Sequence, residues 1–598
     1  MILQALVRSY DALAADGKLD QPGWLEAKVS WSIELDADGR LKQVIPQGST
    51  DEKGKSIARS MKIPAMAKRS SGIAANFLCD NAMYMLGVDL KGKKARAMEC
   101  FRACAARHLE LLEHTDEPFA RAICAFFKTW DAENAESHPL IAPILELLKA
   151  GGNLVFSMNE AFAQDVPEIR AAWNSAYGDQ ENAVRGRCLV TGEEGAIAIL
   201  HPSIKGVAGA QATGASLVSF NAPSYESYGR REAQGLNAPV SERAAFAYGA
   251  ALNYMLRERD YRMRLGTTTM VFWAEGAARE YGSALAWMLG NADDGVDQAM
   301  LENAAADLRR GKTAFLNGVP LHPENPFYVL GLAPNASRLS VRFFMRNSFQ
   351  AFAVNLNRHQ ERLKIVGNEK RREMSVWALL NETVNPKSTD KKPPDVLVGE
   401  VLRAILSDAP YPASLFAQVE VRLRAEQNVT FGKAAIIKAY LIKNVVRDSE
   451  THPMKEVLTV KLNEEASYAP YVLGRLFAVL EKIQISAMKL DAPKPDVTKS
   501  NPPKSSATIR DRYFSSACAT PAAVFPTLIR LAQSHLSKLS KQDIGSSIYY
   551  EQLIQNLYGK ITETLPRHLS LEEQGAFQIG YYHQKQALYT KKEDRNDG

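Results

Sequence analysis

The sequence predicts an α+β fold, with a large mixed N-terminal region of small antiparallel sheets and helices followed by an α-helical C-terminal bundle. Three observations carry the prediction. Residues 29–45 alternate polar and apolar on either side of the turn formers Asp36-Ala37-Asp38-Gly39, the pattern of a β-hairpin. Between Asn76 and Lys149, apolar residues recur at three- and four-residue intervals, the spacing of amphipathic helices. Beyond residue 397, stretch after stretch repeats that helical spacing, which is the signature of a bundle.

Taken in order, Met1 to Val7 is apolar but meets Arg8 and Asp11, so it reads as a first amphipathic helix rather than a signal peptide. The hairpin and the helices of 76–149 follow. Between Arg187 and Phe220 the chain breaks into short β-prone runs separated by glycines, and helical spacing returns over Ser241–Arg259, with Ser241 and Glu242 as its start. Residues 385–394 contain no apolar side chain besides three prolines and cannot pack a core. Helices are expected at Leu397–Leu406, Ser414–Leu423, Ala434–Val446, Tyr471–Leu490, Pro521–Lys538, Ser547–Leu565 and Ser570–Tyr589. A second linker, Asp491 to Ser506, carries four prolines and three lysines. At about 150 residues per packing unit, 598 residues are too many for one core. The expected organisation is a mixed region 1–384, a linker 385–396 and a helical bundle 397–598.

Composition excludes several classes. Hydrophobic residues at 46% and charged residues at 23% are ordinary for globular proteins, which disfavours wholesale disorder, a fibre or a disulfide scaffold. The six cysteines show no paired framework, so a reducing, cytoplasmic location is expected. No stretch approaches the roughly 18 uncharged apolar residues that span a bilayer, so no membrane partner is expected. A net charge of +6 names no partner by itself, and only its distribution is informative.

Catalytic and metal motifs are weak. Cys100, Cys104 and His108 fall on one helix face, but the outer two are about 12 Å apart at 1.5 Å per residue, too far for one tetrahedral zinc. A core-facing stripe of small residues explains the spacing better. Cys188-Leu-Val-Thr-Gly192 resembles half a zinc knuckle without its second half, and reads as a strand and turn. The glycine spacing of Gly209 to Ser216 resembles a phosphate loop but places Ala215 where the clamping lysine must stand. HExxH, GxSxG and His-Asp pairs do not occur, so no catalytic residue, metal or cofactor is assigned.

Charge clustering is the stronger signal. The 27 residues from Lys53 to Cys79 carry six basic side chains (Lys53, Lys55, Arg59, Lys62, Lys68, Arg69) and no acid. Such a window suits a phosphate backbone, with Ser70-Ser71-Gly72 offering close main-chain approach and Asn76 reaching a base edge. A second acid-free window, Gly195 to Tyr225, contains Lys205, Gly209, Gln211, Thr213 and Asn221 on a glycine-rich loop. Third, Arg338-Leu-Ser-Val-Arg342-Phe alternates, so that Arg338, Ser340 and Arg342 are expected on one strand face and Leu339, Val341 and Phe343 against a core. Exposed basic loops and salt-bridged surface strands are the plain alternatives.

These same segments resemble a known family, the large subunit of the type I-C CRISPR surveillance complex, Cascade. The similar stretches are PAMAKRSSGIAANFLCDNAMYMLG from Pro64, His201 through Asn221, SYESYGRREAQGLNAPVSERAAFAYGAALNYML from Ser224 and TTTMVFWAE from Thr267. They continue with FYVLGLAPNASRLSVRFF from Phe327, YVLGRLFAVLEKIQ from Tyr471 and ATIRDRYFSSACATPAAVFPTLI from Ala507. The resemblance implies a non-catalytic subunit that recognises the protospacer-adjacent motif in double-stranded DNA, helps separate the strands, holds the displaced single strand and recruits a separate nuclease-helicase. It also implies guide RNA, the backbone and guide-processing Cascade subunits, and small subunits as partners. Residues 488–598 resemble such a small subunit, which the family also makes from an internal start. Met488 is the first candidate start and Met454 the second, and from Met488 onward 15 basic residues face 11 acidic ones, a net +4. The rival readings are a metal-dependent nuclease with dispersed carboxylates and a purely structural ribonucleoprotein scaffold.

Overall fold

The computed structural model describes residues 1–50, 56–66, 72–90, 92–178, 184–220, 222–227, 234–276, 278–290, 298–367, 374–491, 507–561 and 564–589. The chain folds as two units, Met1–Ser203 with Val218–Tyr254, and Ile204–Leu217 with Met255–Gly598.

The first unit begins with α1 (Ile2–Ala15) and the hairpin β1 (Trp24–Leu35) and β2 (Leu41–Pro46). Leu35 pairs with Leu41 across the Asp36–Gly39 turn, as the alternation predicts. β3 (Gly48–Thr50), β4 (Ser56–Pro64) and β5 (Cys79–Asn81) precede α2 (Ala82–Met85), α3 (Lys94–Leu112), α4 (Pro118–Thr129) and α5 (Leu145–Lys149). β6 (Asn153–Met158), β7 (Ala161–Phe162), α6 (Pro167–Gly178), β8 (Arg185–Arg187), β9 (Glu194–Ala196) and most of α7 (Glu242–Arg257) complete it. The main sheet runs β3-β4-β1-β6-β5, with β2 on β1 and β7 on β6. β1 and β6 are parallel, so this sheet is mixed rather than purely antiparallel.

The apolar stripes of α3 and α4 pack with Phe77, Phe156 and Trp173 in one core. Cys100, Cys104 and His108 lie on that buried stripe. Both nitrogens of His108 are engaged, Nδ1 with the Cys104 carbonyl at 2.8 Å and Nε2 accepting from the Leu78 N–H at 2.9 Å. That geometry fixes the neutral tautomer with the proton on Nδ1. Burial pushes the ring pKa down to about 4.

The second unit contains β10 (Ser203–Ile204), β11 (Ala215–Ser216), β12 (Arg262–Leu265), β13 (Thr268–Ala274), α8 (Glu280–Met288), α9 (Gln298–Arg309), β14 (Ala314–Leu316), β15 (Val319–Leu321), β16 (Pro326–Asn335) and β17 (Arg338–Ser348). Its sheet runs β10-β11-β17-β16-β13-β12, with β11 parallel to β17. Helices follow: α10 (Phe349–Leu363), α11 (Val376–Asn381), α12 (Asp395–Ser407), α13 (Ala413–Glu426), α14 (Phe431–Tyr440), α15 (Ala469–Asp491), α16 (Ile509–Ala519), α17 (Pro521–Gln542), α18 (Ile544–Gly559) and α19 (Leu571–Tyr589). α14 passes into a π-helical stretch over residues 441–446. α16 escapes the apolar-spacing test because it is short, although its Thr508…Asp511 capping box is visible in the sequence.

The units do not divide at the proline linker. Residues 385–392 are largely exposed and irregular, as expected, but one continuous core runs from Met263 and Phe272 on the sheet through α10 and α12 to Phe577 and Tyr582 on α19. The sheet of β12, β13, β16 and β17 therefore belongs with the helical bundle, and the expected border at 384 gives way to the interleaved one. The reason is apolar pairing: Phe272, Phe327 and Phe343 have no other core to enter. Residues 492–506 of the second linker lie outside the described residues.

Glu420 on α13 is buried, with Oε2 accepting from Gln578 Nε2 at 3.0 Å and Oε1 without a hydrogen-bond partner among the described residues. Burial raises its carboxyl from 4.5 to about 7. A carboxyl that binds its proton more tightly when folded stabilises at low pH, and the contribution is lost as pH rises from 4.5 to 7. Glu420→Gln should remove that slope, leaving a variant more stable than wild type at pH 8 by on the order of 2–3 kcal/mol and little changed at pH 5, as read by urea melts.

Candidate nucleic-acid interface

In the first unit, Arg59 and Lys62 stand on β4, where the register sets them opposite Val29 and Glu26 of β1. Arg59 lies over the Phe162 ring at 5.4 Å, and Lys62 Nζ pairs with Asp20 at 2.7 Å. The window is thus free of acids in sequence but not in space, because strand pairing brings Asp20 and Glu26 beside it. Gly72 is exposed with open space where a Cβ would stand. Asn76 is 5% exposed, and its N–H donates to Asp80 Oδ2 at 3.1 Å. A side chain so covered does not reach a base edge, so the expected role of Asn76 is corrected: it belongs to the turn that leads into β5. Lys53, Lys55, Lys68, Arg69, Ser70, Ser71 and Asn221 lie outside the described residues.

In the second unit, the glycine loop follows β10. Gly206, Gly209 and Gly214 all have φ between +78° and +100°, the left-handed region that side chains avoid. The loop makes two tight turns, Ala210 N–H to the Val207 carbonyl and Gly214 N–H to the Gln211 carbonyl. Gln211 and Thr213 are exposed on the second turn, and Lys205 at the loop's entrance. Ala208 N–H donates to Thr269 Oγ1 at 3.0 Å, which ties the loop to β13.

The loop then returns through β11 to the arginine strand. Ser216 pairs with Arg338, and the Ser216 N–H donates to the Ser337 carbonyl at 3.0 Å. A Cβ on Gly209 would lie 3.3 Å from the Pro334 ring, so the loop also rests on the end of β16. The fold therefore brings Lys205, Gly209, Gln211 and Thr213 to the sheet that carries Arg338 and Arg342.

The expected alternation of β17 holds only in part. Gly331 pairs with Phe343 and Leu332 with Val341, which leaves Arg342 as the extra residue of a β-bulge. Arg338 and Ser340 share a face, but Leu339 and Val341 stand opposite Phe343, and Val341 is 40% exposed. The bulge has a steric correlate at Gly331, where a Cβ would meet the Phe343 ring at 2.6 Å.

Three basic residues were missed in the sequence. Arg259, Arg262 and Arg264 line a cleft beside the glycine loop, together with Asp260, Gly206 and Ala208. Glu258 and Asp260 interrupt the run, so no acid-free window marks it. The available signal is the period-two Arg262-Met-Arg264 directly after a helix.

Among the described residues, no three His, Cys, Asp or Glu side chains converge as a metal site. No described helix is long and apolar enough to cross a membrane. No curated protein matches the chain. A family model described as CRISPR-associated protein (Cas_Csd1) matches residues 6–589, nearly its full length. The chain that carries this glycine loop and arginine strand therefore belongs to the Cas_Csd1 family of CRISPR-associated proteins.

Proposed function

We propose that this protein is the large, non-catalytic subunit of a type I-C Cascade, a cytoplasmic ribonucleoprotein component that binds the protospacer-adjacent motif in double-stranded DNA, aids strand separation and helps recruit the nuclease-helicase. The observation that carries the reading is the joining of the glycine loop to the arginine strand at Ser216 and Arg338. A loop whose three glycines hold positive φ lets main chain approach a phosphodiester closely, and Gln211 at its second turn is placed to enter a groove. Division of labour between guide pairing and a short protein-read motif follows the logic of other RNA-guided systems.

Guide RNA, the other Cascade subunits and small subunits similar to residues 488–598 are the partners in this reading. Met488 lies in the last turn of α15, so a product begun there carries α16–α19 without the helix that packs along α19. A product begun at Met454 carries α15 as well.

Duplexes with a randomised flank test the reading. Arg338→Ala should weaken binding to all sequences alike and reduce the slope of log affinity against log salt by about 1, whereas Gln211→Ala should relax the preferred flank. Equal effects of the two would sink this division. DNA cleavage in magnesium or manganese that one carboxylate substitution abolishes would favour a nuclease, and salt-insensitive association without DNA contact would favour a scaffold.

A further inference from the structure

We propose that the cleft between β12, the loop at Gly206–Ala208 and the first turn of α8 is a second nucleic-acid site, which grips the phosphodiester backbone of a single strand. The inference rests on the nucleic-acid reading above and assigns it a separate locus. The cleft encloses about 560 Å³, a volume suited to one or two nucleotides and not to a duplex. Arg259, Arg262 and Arg264 line it, and among the described lining residues Asp260 is the one carboxylate.

Strand geometry sets the cation spacing. β12 alternates exposed and buried residues, so Arg262 and Arg264 project on one face while Met263 and Leu265 enter the core. Side chains two residues apart on a strand are separated by about 6.6 Å, close to the repeat of phosphates along an extended strand. Opposite them, Gly206 has φ +88°, and the Ala208 N–H is held by Thr269 Oγ1, so this wall of the cleft is bare, fixed main chain. Gly282 forms the floor in close contact with the Asp260 carbonyl, where a Cβ would stand 1.9 Å from the oxygen. That contact fixes the turn bearing Arg259 against α8.

None of the described lining residues is aromatic, so the cleft offers no platform for base stacking. It is expected to hold backbone without regard to sequence. Phosphodiester from DNA or RNA meets the same chemistry, and the test separates the two.

The test uses the full chain with fluorescent oligo-dT, oligo-U and a mixed-sequence duplex, followed by anisotropy across a salt series. Arg262→Ala/Arg264→Ala should lower affinity for one or both single strands by about tenfold and flatten their salt slope by about 1.4, a larger loss than the duplex shows. Arg262→Lys/Arg264→Lys, which keeps the charge, should restore most of the slope and guards against misfolding as the cause. A larger loss for oligo-dT than for oligo-U identifies displaced DNA as the ligand, and the reverse identifies guide RNA. Unchanged single-strand affinity and slope would overturn the proposal and leave the arginines as guards of an exposed sheet edge. Wild-type duplex binding with an unaffected variant rejects this site alone. Arginine-dependent single-strand binding without any duplex binding rejects the motif-reading function and keeps the site.

Discussion

Alanine in place of Gly474 is expected to cost the second unit about 3 kcal/mol, even though alanine is the better helix former by about 1 kcal/mol. Gly474 on α15 faces α19 so closely that a Cβ would stand 1.9 Å from the Phe577 carbonyl oxygen. Gly580 on α19 returns the contact, with its Cβ position 2.1 Å from the Tyr471 carbonyl oxygen. Neither obstacle is a flexible side-chain end, so a methyl group must push the two helices apart. Separation strains the bonds that bridge them, Tyr471 Oη to His583 Nδ1 at 3.0 Å, Arg475 to Gln584 at 3.1 Å and Tyr581 Oη to Glu481 at 2.7 Å. Gly545→Ala on α18 is the control, since a Cβ there meets only Asp543 Oδ1 at 3.9 Å. Denaturant melts should show a large loss for Gly474→Ala and no loss for Gly545→Ala, which gains up to about 1 kcal/mol from helix propensity. Identical melts for wild type and Gly474→Ala would contradict the close crossing.

His108→Ala is expected to destabilise the first unit by about 3–5 kcal/mol. The ring fills space between Phe77, Phe127 and Phe156, with centroids 4.7 to 5.8 Å away. Its loss opens a cavity and also strands the Leu78 N–H, which leaves a residue held at φ +57° without its anchor. His108→Phe separates these effects, because it keeps most of the volume and removes only the ring's two hydrogen bonds, the Nε2 acceptor for Leu78 and the Nδ1–H donor to the Cys104 carbonyl, at about 1–3 kcal/mol. The pH profile distinguishes the histidine further. Its pKa falls from 6.5 to about 4 on folding, so the unfolded chain takes the proton first and stability declines as pH falls through that interval. Melts between pH 4 and 7 should show this decline in wild type and a shallower one in His108→Phe. Equal slopes would remove the ring from the account.

Local patterns were legible in the sequence where one residue's neighbours decide its state. The β1–β2 turn, the α3 and α4 stripes and most C-terminal helices follow from spacing alone. The bulge at Arg342 was not legible, because an extra residue in one strand depends on what the partner strand presents, here Gly331. Asn76 looked available because its segment is polar and basic, yet the fold leaves it 5% exposed, with its N–H on the Asp80 carboxylate of β5. For the candidate site, the composition of the glycine loop was visible but its destination was not. Ser216 meets Arg338 through a parallel pairing of residues far apart in sequence, which no local period encodes. The arginines of β12 were hidden for the opposite reason, since Glu258 and Asp260 just ahead of them cancel them in a linear count, although Glu258 pairs with Arg257 and Asp260 is the acid that reaches the cleft.

The interleaved border of the two units has a topological consequence. The chain passes between them at 203–204, 217–218 and 254–255, so a single cut at the last of these does not yield one unit per fragment. The fragment 1–254 keeps β11 and the glycine loop, while the fragment 255–598 keeps β17, the strand on which β11 pairs. A chain divided there becomes a donor and an acceptor of one sheet, and the two pieces regain the loop's seat only by strand complementation.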